Sequence, residues 1–341
     1  MGVNISKLIP KEEIELSDLK NKVVAIDAYI TLYQFLTTIR QPDGTPLKDT
    51  SGNITSHISG LFYRNINLLQ QKIKPVYVFD GDPPKLKQEE LQKRQKTKEL
   101  AEEKYQQAKQ EHNIRNMKKF SSRTVKITED IISQSKELLD ALGIPFIQAP
   151  NEGEAEAASL AKNSKAYASA SQDFDSLLYA TPILVRNLTS PKRKRLNSGI
   201  YQEVKPELIK LENVLEELKI NQDQLICLAI LVGTDYNPGG IKNLGQKRAL
   251  ELVRQHKTPK QIFNHIQQKY DSTFHTQEIF NLFKNYKSPT TNEIKFNEPN
   301  TNKLKQLLTK YGFSEARISS GLQKLEQIKQ LTQQKGLSDF F

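Results

Sequence analysis

The sequence predicts an α/β protein in which a mostly parallel central sheet is flanked by helices on both faces. Four short apolar runs have the pattern of buried strands, at residues 22–26, 75–79, 144–148 and 166–170. Helix-patterned segments separate these runs, and such alternation is typical of a parallel sheet covered by helices. The rest of the chain is mostly helical in pattern, at residues 209–218, 224–232, 247–253 and 303–328.

Charge and cysteine content narrow the possible functions. The 341 residues carry a formal net charge of +11, which favours an anionic partner. Nucleic acid is the leading interpretation, and an acidic membrane surface or an acidic protein are the alternatives. Cys227 is the single cysteine, which excludes a disulfide framework or a thiolate zinc site and suits a reducing compartment. Because no apolar stretch is long enough to span a bilayer, we expect a soluble, intracellular protein with no membrane partner.

Acidic residues follow the predicted strands at their carboxyl ends. In a parallel sheet these ends lie along one edge, so acids distant in sequence are expected to meet there. Each acid taken alone has a simpler explanation, because Asp and Glu often cap the helix that follows a strand. The acids are Asp27, Asp80, Glu152 with Glu154, Asp173 with Asp175, and Asp235 at the end of a later apolar run.

Electrostatics indicates what such a group of acids would bind. Carboxylates a few ångströms apart in a poorly solvated cleft repel one another, and bound cations relieve that repulsion. Oxygen ligands, without any ligand-like spacing of histidines, indicate Mg²⁺ or Mn²⁺ rather than zinc. Two such ions about 4 Å apart would stabilise the attacking and leaving oxygens of a phosphodiester displacement. The sequence therefore predicts metal-dependent phosphoryl chemistry.

Two basic features are expected near these acids. Lys87 and Arg94 are two helical turns apart in the segment after Asp80, so one helix face presents both to a scissile phosphate. The glycine-rich run 236–249 follows Asp235, and its turn suits a bound phosphate. An ordinary helix–turn–helix loop is nearly as good an interpretation of that run.

Two further segments are dense in charge. Residues 85–119 form a long polar stretch of helical composition, which either bridges solvent, orders on a partner or is disordered alone. The basic run 191–195 resembles a nuclear localisation signal and equally a hairpin loop that touches a DNA backbone, and we favour the loop.

Taken together, these residues resemble the flap endonuclease family of structure-specific 5′ nucleases, in its archaeal type, over nearly the whole chain. The resemblance implies a PIN-like 5′ nuclease core with a helical gateway or cap and a helix–turn–helix element. The matching segments lie at residues 2–9, 26–28, 33–36, 79–84, 149–155, 171–175 and 233–236.

The resemblance also implies a division of the chain. A single nuclease domain would cover 1–330, followed by a sliding-clamp-binding tail at 334–341. Within the domain we expect an N-terminal block (about 1–103), a gateway and cap (about 85–126), an internal block (about 121–254) and a C-terminal helical region (255–330).

Position by position, the resemblance implies roles for individual residues. Glu156 matches no family ligand and is expected on the helix surface. Lys87 and Arg94, together with Asp27 and Asp175, would be catalytic. The metal-binding residues would be Asp27, Asp80, Glu152, Glu154, Asp173, Asp175 and Asp235. The DNA contacts would be Tyr33, on which a flap base stacks, and Arg40, Gly233, Asp235, Gly240, Gly245, Lys247 and Arg248.

The glycine-rich turn resembles the family element that holds a potassium ion and the downstream duplex, but it departs from the family pattern. One extra residue lies around 238–240, and Asn243 stands where the family usually has glycine. Asparagine tolerates left-handed backbone angles better than most residues, so we expect the turn to be retained.

The last eight residues resemble the motif by which replication proteins bind the sliding clamp, PCNA. Gln334, Leu337, Phe340 and Phe341 fill its anchor positions, and a partner pocket would bury the two phenylalanines. Since no basic extension follows them, an archaeal source is expected. The protein would be a monomer when free and would act in the cytoplasm at the nucleoid, or in the nucleus of a eukaryote.

The sequence therefore predicts an endonuclease that cuts 5′ flaps at the junction of single strand and duplex in DNA replication and repair, with some 5′ exonuclease activity. One alternative is a haloacid-dehalogenase-like phosphatase, because residues 173–176 imitate its aspartyl nucleophile pair. Another is a non-catalytic DNA-binding adaptor of the clamp. An exonuclease or a junction-resolving nuclease is a further alternative.

Overall fold

The computed structural model describes residues 2–190, 193–195, 200–270, 276–288 and 293–333. Its strands are β1 (Glu12–Glu13), β2 (Val23–Asp27), β3 (Lys74–Phe79), β4 (Phe146–Gln148), β5 (Ala168–Ala170), β6 (Ile183–Arg186), β7 (Arg193–Arg195), β8 (Tyr201–Glu203) and β9 (Glu207–Lys210). Its helices are α1 (Ala28–Thr38), α2 (Ser56–Gln70), α3 (Gln88–Gln110), α4 (Ile114–Ser121), α5 (Glu129–Ala141), α6 (Gly153–Lys162), α7 (Asp175–Leu178), α8 (Leu211–Leu218), α9 (Gln222–Val232), α10 (Gln246–Gln255), α11 (Pro259–Lys269), α12 (Thr276–Lys284), α13 (Thr301–Lys310) and α14 (Glu315–Gln333).

The central sheet is mostly parallel, as predicted. Among the described residues its strand order is β1-β9-β6-β5-β2-β3-β4. The five strands from β6 to β4 pair in parallel, whereas β9 pairs antiparallel with β6 and with β1 at one edge. The carboxyl ends of β2, β3, β4 and β5 therefore lie along the same edge of the sheet, where the acids are expected.

Alternation along the strands places a core on each face of the sheet. Val24 and Ile26 of β2 belong to a core that also contains residues of α1, α2 and α5. Ala25, between them, packs with Val78 and with Leu160 of α6 on the other side. Because successive strand residues point to opposite faces, two hydrophobic layers form, and the prediction of helices on both faces is confirmed.

The segment predicted as a helix at 209–218 begins as a strand instead. Ile209 lies in β9, in register with Leu184 of β6, and helix α8 starts only at Leu211. A short apolar run does not distinguish a strand from a helix by its periodicity, and here pairing with β6 satisfies the backbone hydrogen bonds.

The polar stretch after β3 is helical and lies against the rest of the chain through few apolar residues. Helix α3 buries only Glu90, Ala101 and Ala108 among its residues, and it packs against α4. Farther along, β7 pairs antiparallel with β8, so part of the basic run 191–195 forms one arm of a hairpin. Residues 191 and 192 of that run lie outside the described residues.

Candidate active site

The acids predicted from the sequence lie at the carboxyl edge of the central strands. Asp27 ends β2, Asp80 follows β3, Glu152 precedes α6, Asp175 begins α7 after β5, and Asp235 follows α9. Glu154 and Asp173 lie on the same two segments, at the start of α6 and just before α7.

The seven acids are close enough to influence one another's ionisation. Burial is the largest cause that raises the pKa of Asp27, and the negative charges of Asp80 and Asp173 raise it further. Burial and then Asp175, Asp173 and Asp27 raise the pKa of Glu154 well above its ordinary value. The structure thus brings together residues as far apart in the sequence as Asp27 and Asp235.

Two of these carboxyls have a pKa that reaches the neutral range. Burial raises the pKa of Asp175 to about 7, and the charges of Asp235, Asp173 and Glu152 add to the effect. Burial also raises the pKa of Asp80 to about 6, with the charge of Glu152 acting in the same direction. Without bound cations the cluster therefore holds protons close to neutral pH.

The acid after β3 is fixed by the helix after β4. The backbone N–H of Gly153 donates to Oδ1 of Asp80 over 2.7 Å. A Cβ atom on Gly153 would lie 2.7 Å from that same oxygen and 2.9 Å from the carbonyl oxygen of Val78. Glycine is therefore required here by the close approach of helix and acid.

Three other acids also accept hydrogen bonds from neighbouring elements. Asp27 caps α1, because its Oδ1 accepts from the N–H of Ile30 at 3.0 Å. This residue is therefore both a helix cap and a member of the acid cluster. The remaining bonds run from the N–H of Val3 to Oδ1 of Asp175 at 2.6 Å, and from the N–H and Oγ of Ser176 to Oε1 of Glu154 at 3.0 and 2.9 Å.

Lys87 and Arg94 lie among these acids. The Nζ atom of Lys87 donates to Oε1 of Glu152 and lies 3.4 Å from Oδ2 of Asp235. An Arg94 guanidinium nitrogen donates to that same Asp235 oxygen over 2.6 Å. Although burial opposes the shift, Glu152 and Asp235 raise the pKa of Lys87. For Asp235, burial alone would raise the pKa. Positive charges, Arg94 and Lys87 among them, hold the pKa of Asp235 below its ordinary value.

The chemistry of the donor set fits a hard, oxygen-preferring divalent cation. Seven carboxylates meet at this edge, and two of them, Glu152 and Asp235, are paired with Lys87 and Arg94. In the part of the chain that the structure describes, no three of the acids form a ready ligand shell. A cation that took Glu152 and Asp235 as ligands would replace their pairing with Lys87 and Arg94.

Glu156 is not on the surface, and that prediction was wrong. Its side chain is fully buried, and it accepts hydrogen bonds from the hydroxyl of Tyr286 at 2.8 Å and from Oγ of Ser288 at 2.6 Å. The residues after α12 fold back over α6 and supply these two donors, a long-range contact that the local sequence pattern does not reveal. Hydrogen bonding offsets the cost of burying this carboxylate.

The two predicted junction residues on and after α1 have different surroundings. Tyr33 exposes 41% of its surface, which leaves a face open for stacking. The guanidinium of Arg40 is engaged by the protein: it donates to the carbonyl oxygens of Leu36 and Gly44, at 2.9 and 2.8 Å, and to Oγ of Ser121 at 3.0 Å. Arg40 thus links the loop after α1 to the end of α4.

The glycine-rich turn joins α9 to α10. Gly233 ends α9, and Gly240 has a φ of +58°, where a Cβ would lie 2.4 Å from the carbonyl oxygen of Leu231. Asn243 has a φ of +65°, so it adopts the left-handed conformation that was expected of it.

Beyond that turn, Gly245 is the N-cap of α10. Lys247 and Arg248 follow in the first helical turn and are exposed. Two cations thus stand beside the free N–H groups of a helix start, a combination that favours a phosphate. The tail residues Gln334, Leu337, Phe340 and Phe341 lie outside the described residues.

Tyr236 is a residue of the site that sequence reasoning missed. Its hydroxyl donates to Oε2 of Glu152 and lies 3.3 Å from the hydroxyl of Tyr179. A signal was available, because a tyrosine next to an acid in an apolar stretch is buried and its hydroxyl then needs a partner.

Comparison with known proteins decides the family. The model of the XPG N-terminal domain matches residues 1–101, and that of the XPG I-region matches residues 143–235. Flap endonuclease 1 of Pyrococcus abyssi is 50% identical over 345 residues, which cover 100% of this chain and 98% of that protein. The chain belongs to the flap endonuclease family.

Other flap endonuclease relatives give the same result. Flap endonuclease 1 of Thermococcus onnurineus is 49% identical and covers 100% of this chain and 99% of its own length. The structure of flap endonuclease-1 from Methanococcus jannaschii has a TM-score of 0.75 at 40% identity, with 96% of this chain and 98% of that one covered. The catalytic core of Rad2 in complex with DNA substrate, at 23% identity and a TM-score of 0.68, shares the fold over 92% of this chain and 96% of its own.

Membership of the flap endonuclease family confirms the predicted fold class and the enzyme class, a nuclease that hydrolyses phosphodiesters. Metal dependence and DNA binding are general in this family. The phosphatase and the non-catalytic adaptor are set aside on this ground. No helix among the described residues is both long and apolar enough to cross a membrane.

Proposed function

We propose that this nuclease cuts 5′ flaps of DNA at the junction of single strand and duplex, in replication and repair. Hydrolysis of the phosphodiester would leave a 5′ phosphate and a 3′ hydroxyl, and some 5′ exonuclease activity is expected with it. The observation that carries the proposal is the convergence of seven acids with Lys87 and Arg94 at one sheet edge. Relatives named flap endonuclease 1 at about half identity support the choice of substrate.

The acids are proposed as oxygen ligands of two Mg²⁺ ions, for which Mn²⁺ would substitute. When bound, these ions would supply the positive charge that activates a water and stabilises the leaving oxygen. Lys87 and Arg94, released from Glu152 and Asp235, would bind the scissile phosphate and stabilise its developing charge. The proposed ligands are Asp27, Asp80, Glu152, Glu154, Asp173, Asp175 and Asp235.

DNA contacts are proposed on both sides of this site. The exposed ring of Tyr33 would stack on a flap base, and Arg40 would border the same junction through the loop that it holds. On the other side, the phosphates of the downstream duplex would bind at the helix–turn–helix turn, where a potassium ion is also proposed. The groups for that contact are Gly233, Asp235, Gly240, Gly245, Lys247 and Arg248.

The partner proposed for the tail is the sliding clamp, PCNA. The sequence of the tail supports this, with Gln334, Leu337, Phe340 and Phe341 at the anchor positions of the motif. A nucleoid location in an archaeal cytoplasm and a monomeric free state belong to the same proposal. The division into blocks, gateway, helical region and tail stays a prediction.

The experiment is a cleavage assay with end-labelled 5′-flap, nicked and single-stranded DNA, with and without Mg²⁺. We expect cuts only with the metal, at the flap junction, and much faster than on single strands. Cutting from the end of nicked DNA, with the flap left uncut, would favour an exonuclease instead. Cleavage of a four-way junction in preference to the flap would favour a junction-resolving enzyme.

A further inference from the structure

The two carboxylate oxygens of Glu152 have partners of different kinds. Oε1 accepts from the ammonium group of Lys87, and Oε2 accepts from the hydroxyl of Tyr236. Lys87 is a cation at the N-cap of α3, and the proposed function requires it to leave Glu152 for a phosphate. Tyr236 is a neutral, buried donor with no such second task. One oxygen is therefore available for exchange and the other is not.

The hydroxyl of Tyr236 is itself held in place. Its oxygen lies 3.3 Å from the hydroxyl of Tyr179, and because Tyr236 gives its own hydrogen to Glu152, Tyr179 is the donor of this second bond. The Tyr236 ring packs edge-on against Phe283 of α12, with centroids 5.4 Å apart and planes at 74°. These contacts leave the hydroxyl of Tyr236 directed at one carboxylate.

The same aromatic cluster reaches the other end of the first turn of α6. The ring of Tyr286 packs edge-on against Tyr179 at 5.6 Å, and its hydroxyl donates to the buried carboxylate of Glu156. Tyr236 thus holds Glu152 and contacts Tyr179 through its hydroxyl. Tyr286 holds Glu156 and contacts Tyr179 through its ring. The described residues at and after α12 thereby support the start of the acid-bearing helix.

We infer that Tyr236 is a positioning residue that fixes Oε2 of Glu152, so that Oε1 is the oxygen offered to a divalent cation or, without one, to Lys87. The inference rests on the proposed function and adds a residue to it. A group that orients a metal ligand without touching the metal typically contributes roughly 10- to 100-fold to metal affinity. Loss of the Tyr236 hydroxyl should therefore weaken metal binding by that factor while the fold is kept.

The first measurement is calorimetric titration of the DNA-free protein with Mn²⁺. We expect Tyr236→Phe to bind roughly 10- to 100-fold more weakly than the wild type. Tyr77→Phe is the matched control, since Tyr77 is also a buried tyrosine, but its hydroxyl bonds to Asn65 at 3.2 Å in the core that contains residues of α1 and α2. Mn²⁺ affinity in Tyr77→Phe should equal that of the wild type. Equal weakening in both variants, or none in Tyr236→Phe, would overturn the inference.

A double-mutant comparison tests whether Tyr236 acts through Glu152. Glu152→Gln alone removes the charged ligand, so adding Tyr236→Phe to it should change Mn²⁺ affinity no further. In flap cleavage, Tyr236→Phe should raise the Mg²⁺ concentration for half-maximal rate, with the rate recovered at saturating metal. Independent, multiplying effects of the two substitutions would show that Tyr236 does not work through this carboxylate.

A second variant tests the same role of Tyr236, and metal binding can be separated from DNA cleavage. Should Tyr236→Phe fail to fold, Tyr179→Phe removes the donor to Tyr236 and should shift Mn²⁺ affinity in the same direction, and wild-type affinity would then count against the inference. A wild-type chain that binds Mn²⁺ but cuts no DNA would sink the proposed function and leave the role of Tyr236 standing. Flap cleavage with unaltered metal dependence in Tyr236→Phe would exclude the role of Tyr236 and leave the proposed function standing.

Discussion

The backbone N–H of Gly153 lies 2.7 Å from Oδ1 of Asp80, so the start of α6 and the acid after β3 form one unit. The two residues are far apart in sequence, and the contact exists because β3 and β4 are parallel neighbours whose carboxyl ends meet. Through it, the position of Glu152 and Glu154 depends on the position of Asp80.

Gly153→Ala is expected to disturb this unit. The added methyl would approach the Asp80 carboxylate and the carbonyl of Val78 to within 3 Å, and the backbone carbonyl has no freedom to move away. We expect a loss of about 1–3 kcal/mol in the free energy of unfolding and weaker Mg²⁺-dependent cleavage. Urea unfolding and a Mg²⁺ titration of the cleavage rate measure the two effects. Wild-type values for both would mean that α6 is free to shift.

Asp27→Ala and Asp175→Ala should each abolish cleavage. Both acids are buried in the cluster, and we expect the rate to fall by roughly 100-fold or more when a group that stabilises transition-state charge is lost. Binding of flap DNA, measured by fluorescence anisotropy, should persist, because the phosphate contacts are proposed for basic residues elsewhere. Glu216→Ala, an exposed acid on α8, is the control. Normal turnover by either cluster variant would refute the assignment of these acids.

Lys87→Met should make the free energy of unfolding depend more strongly on added metal than it does in the wild type. Without Lys87, Glu152 and Asp235 have one counter-charge fewer, and we expect a loss of up to about 3 kcal/mol in the free energy of unfolding at neutral pH. Added Mg²⁺ should restore much of it by binding the folded state. Lys85→Met, which removes an exposed lysine from the same segment, should match the wild type in stability both with and without Mg²⁺. Identical urea midpoints for the two variants would argue against the pairing.

His57 should make the protein less stable in acid. Burial lowers the pKa of His57 to about 4, partly opposed by its hydrogen bond to Gln134. Because the unfolded chain takes up this proton near pH 6.5 and the folded chain only near 4, stability present above pH 6.5 is lost as the pH falls between the two. The full effect is about 3 kcal/mol. In urea titrations from pH 7 to 4.5, His57→Asn should lose less stability than the wild type, and parallel curves would contradict the cause.

The tail prediction is tested by Phe340→Ala combined with Phe341→Ala. Cleavage by the chain alone should remain at the wild-type rate, because both residues belong to the proposed clamp-binding motif and to no part of the acid cluster. Stimulation by the sliding clamp should be lost, since truncation of buried aromatic anchors typically costs 2 kcal/mol or more, roughly a 30-fold loss of affinity. Clamp affinity unchanged in surface plasmon resonance would exclude this motif as the contact.

Much of the fold and the acid cluster was predictable because the signals are local. An apolar run followed by Asp27 or Asp80 marks a strand and its carboxyl end within a few residues, and parallel pairing then forces such ends together. The burial of Glu156 and the hydrogen bond of Tyr236 were not predictable in this way. The first depends on residues after α12 folding over α6, and the second joins the turn after α9 to the start of α6. No periodicity in these segments specifies either contact.

The spread of the clustered acids along the chain also has a consequence during protein synthesis. Asp27 emerges from the ribosome early, but α9 is completed and Asp235 is added only after two thirds of the chain is made. A growing chain that lacks them holds an incomplete set of acids and is expected not to cut nucleic acid. On the proposed function, cutting ability then arises late in synthesis, and shorter fragments of the chain are expected to be inactive.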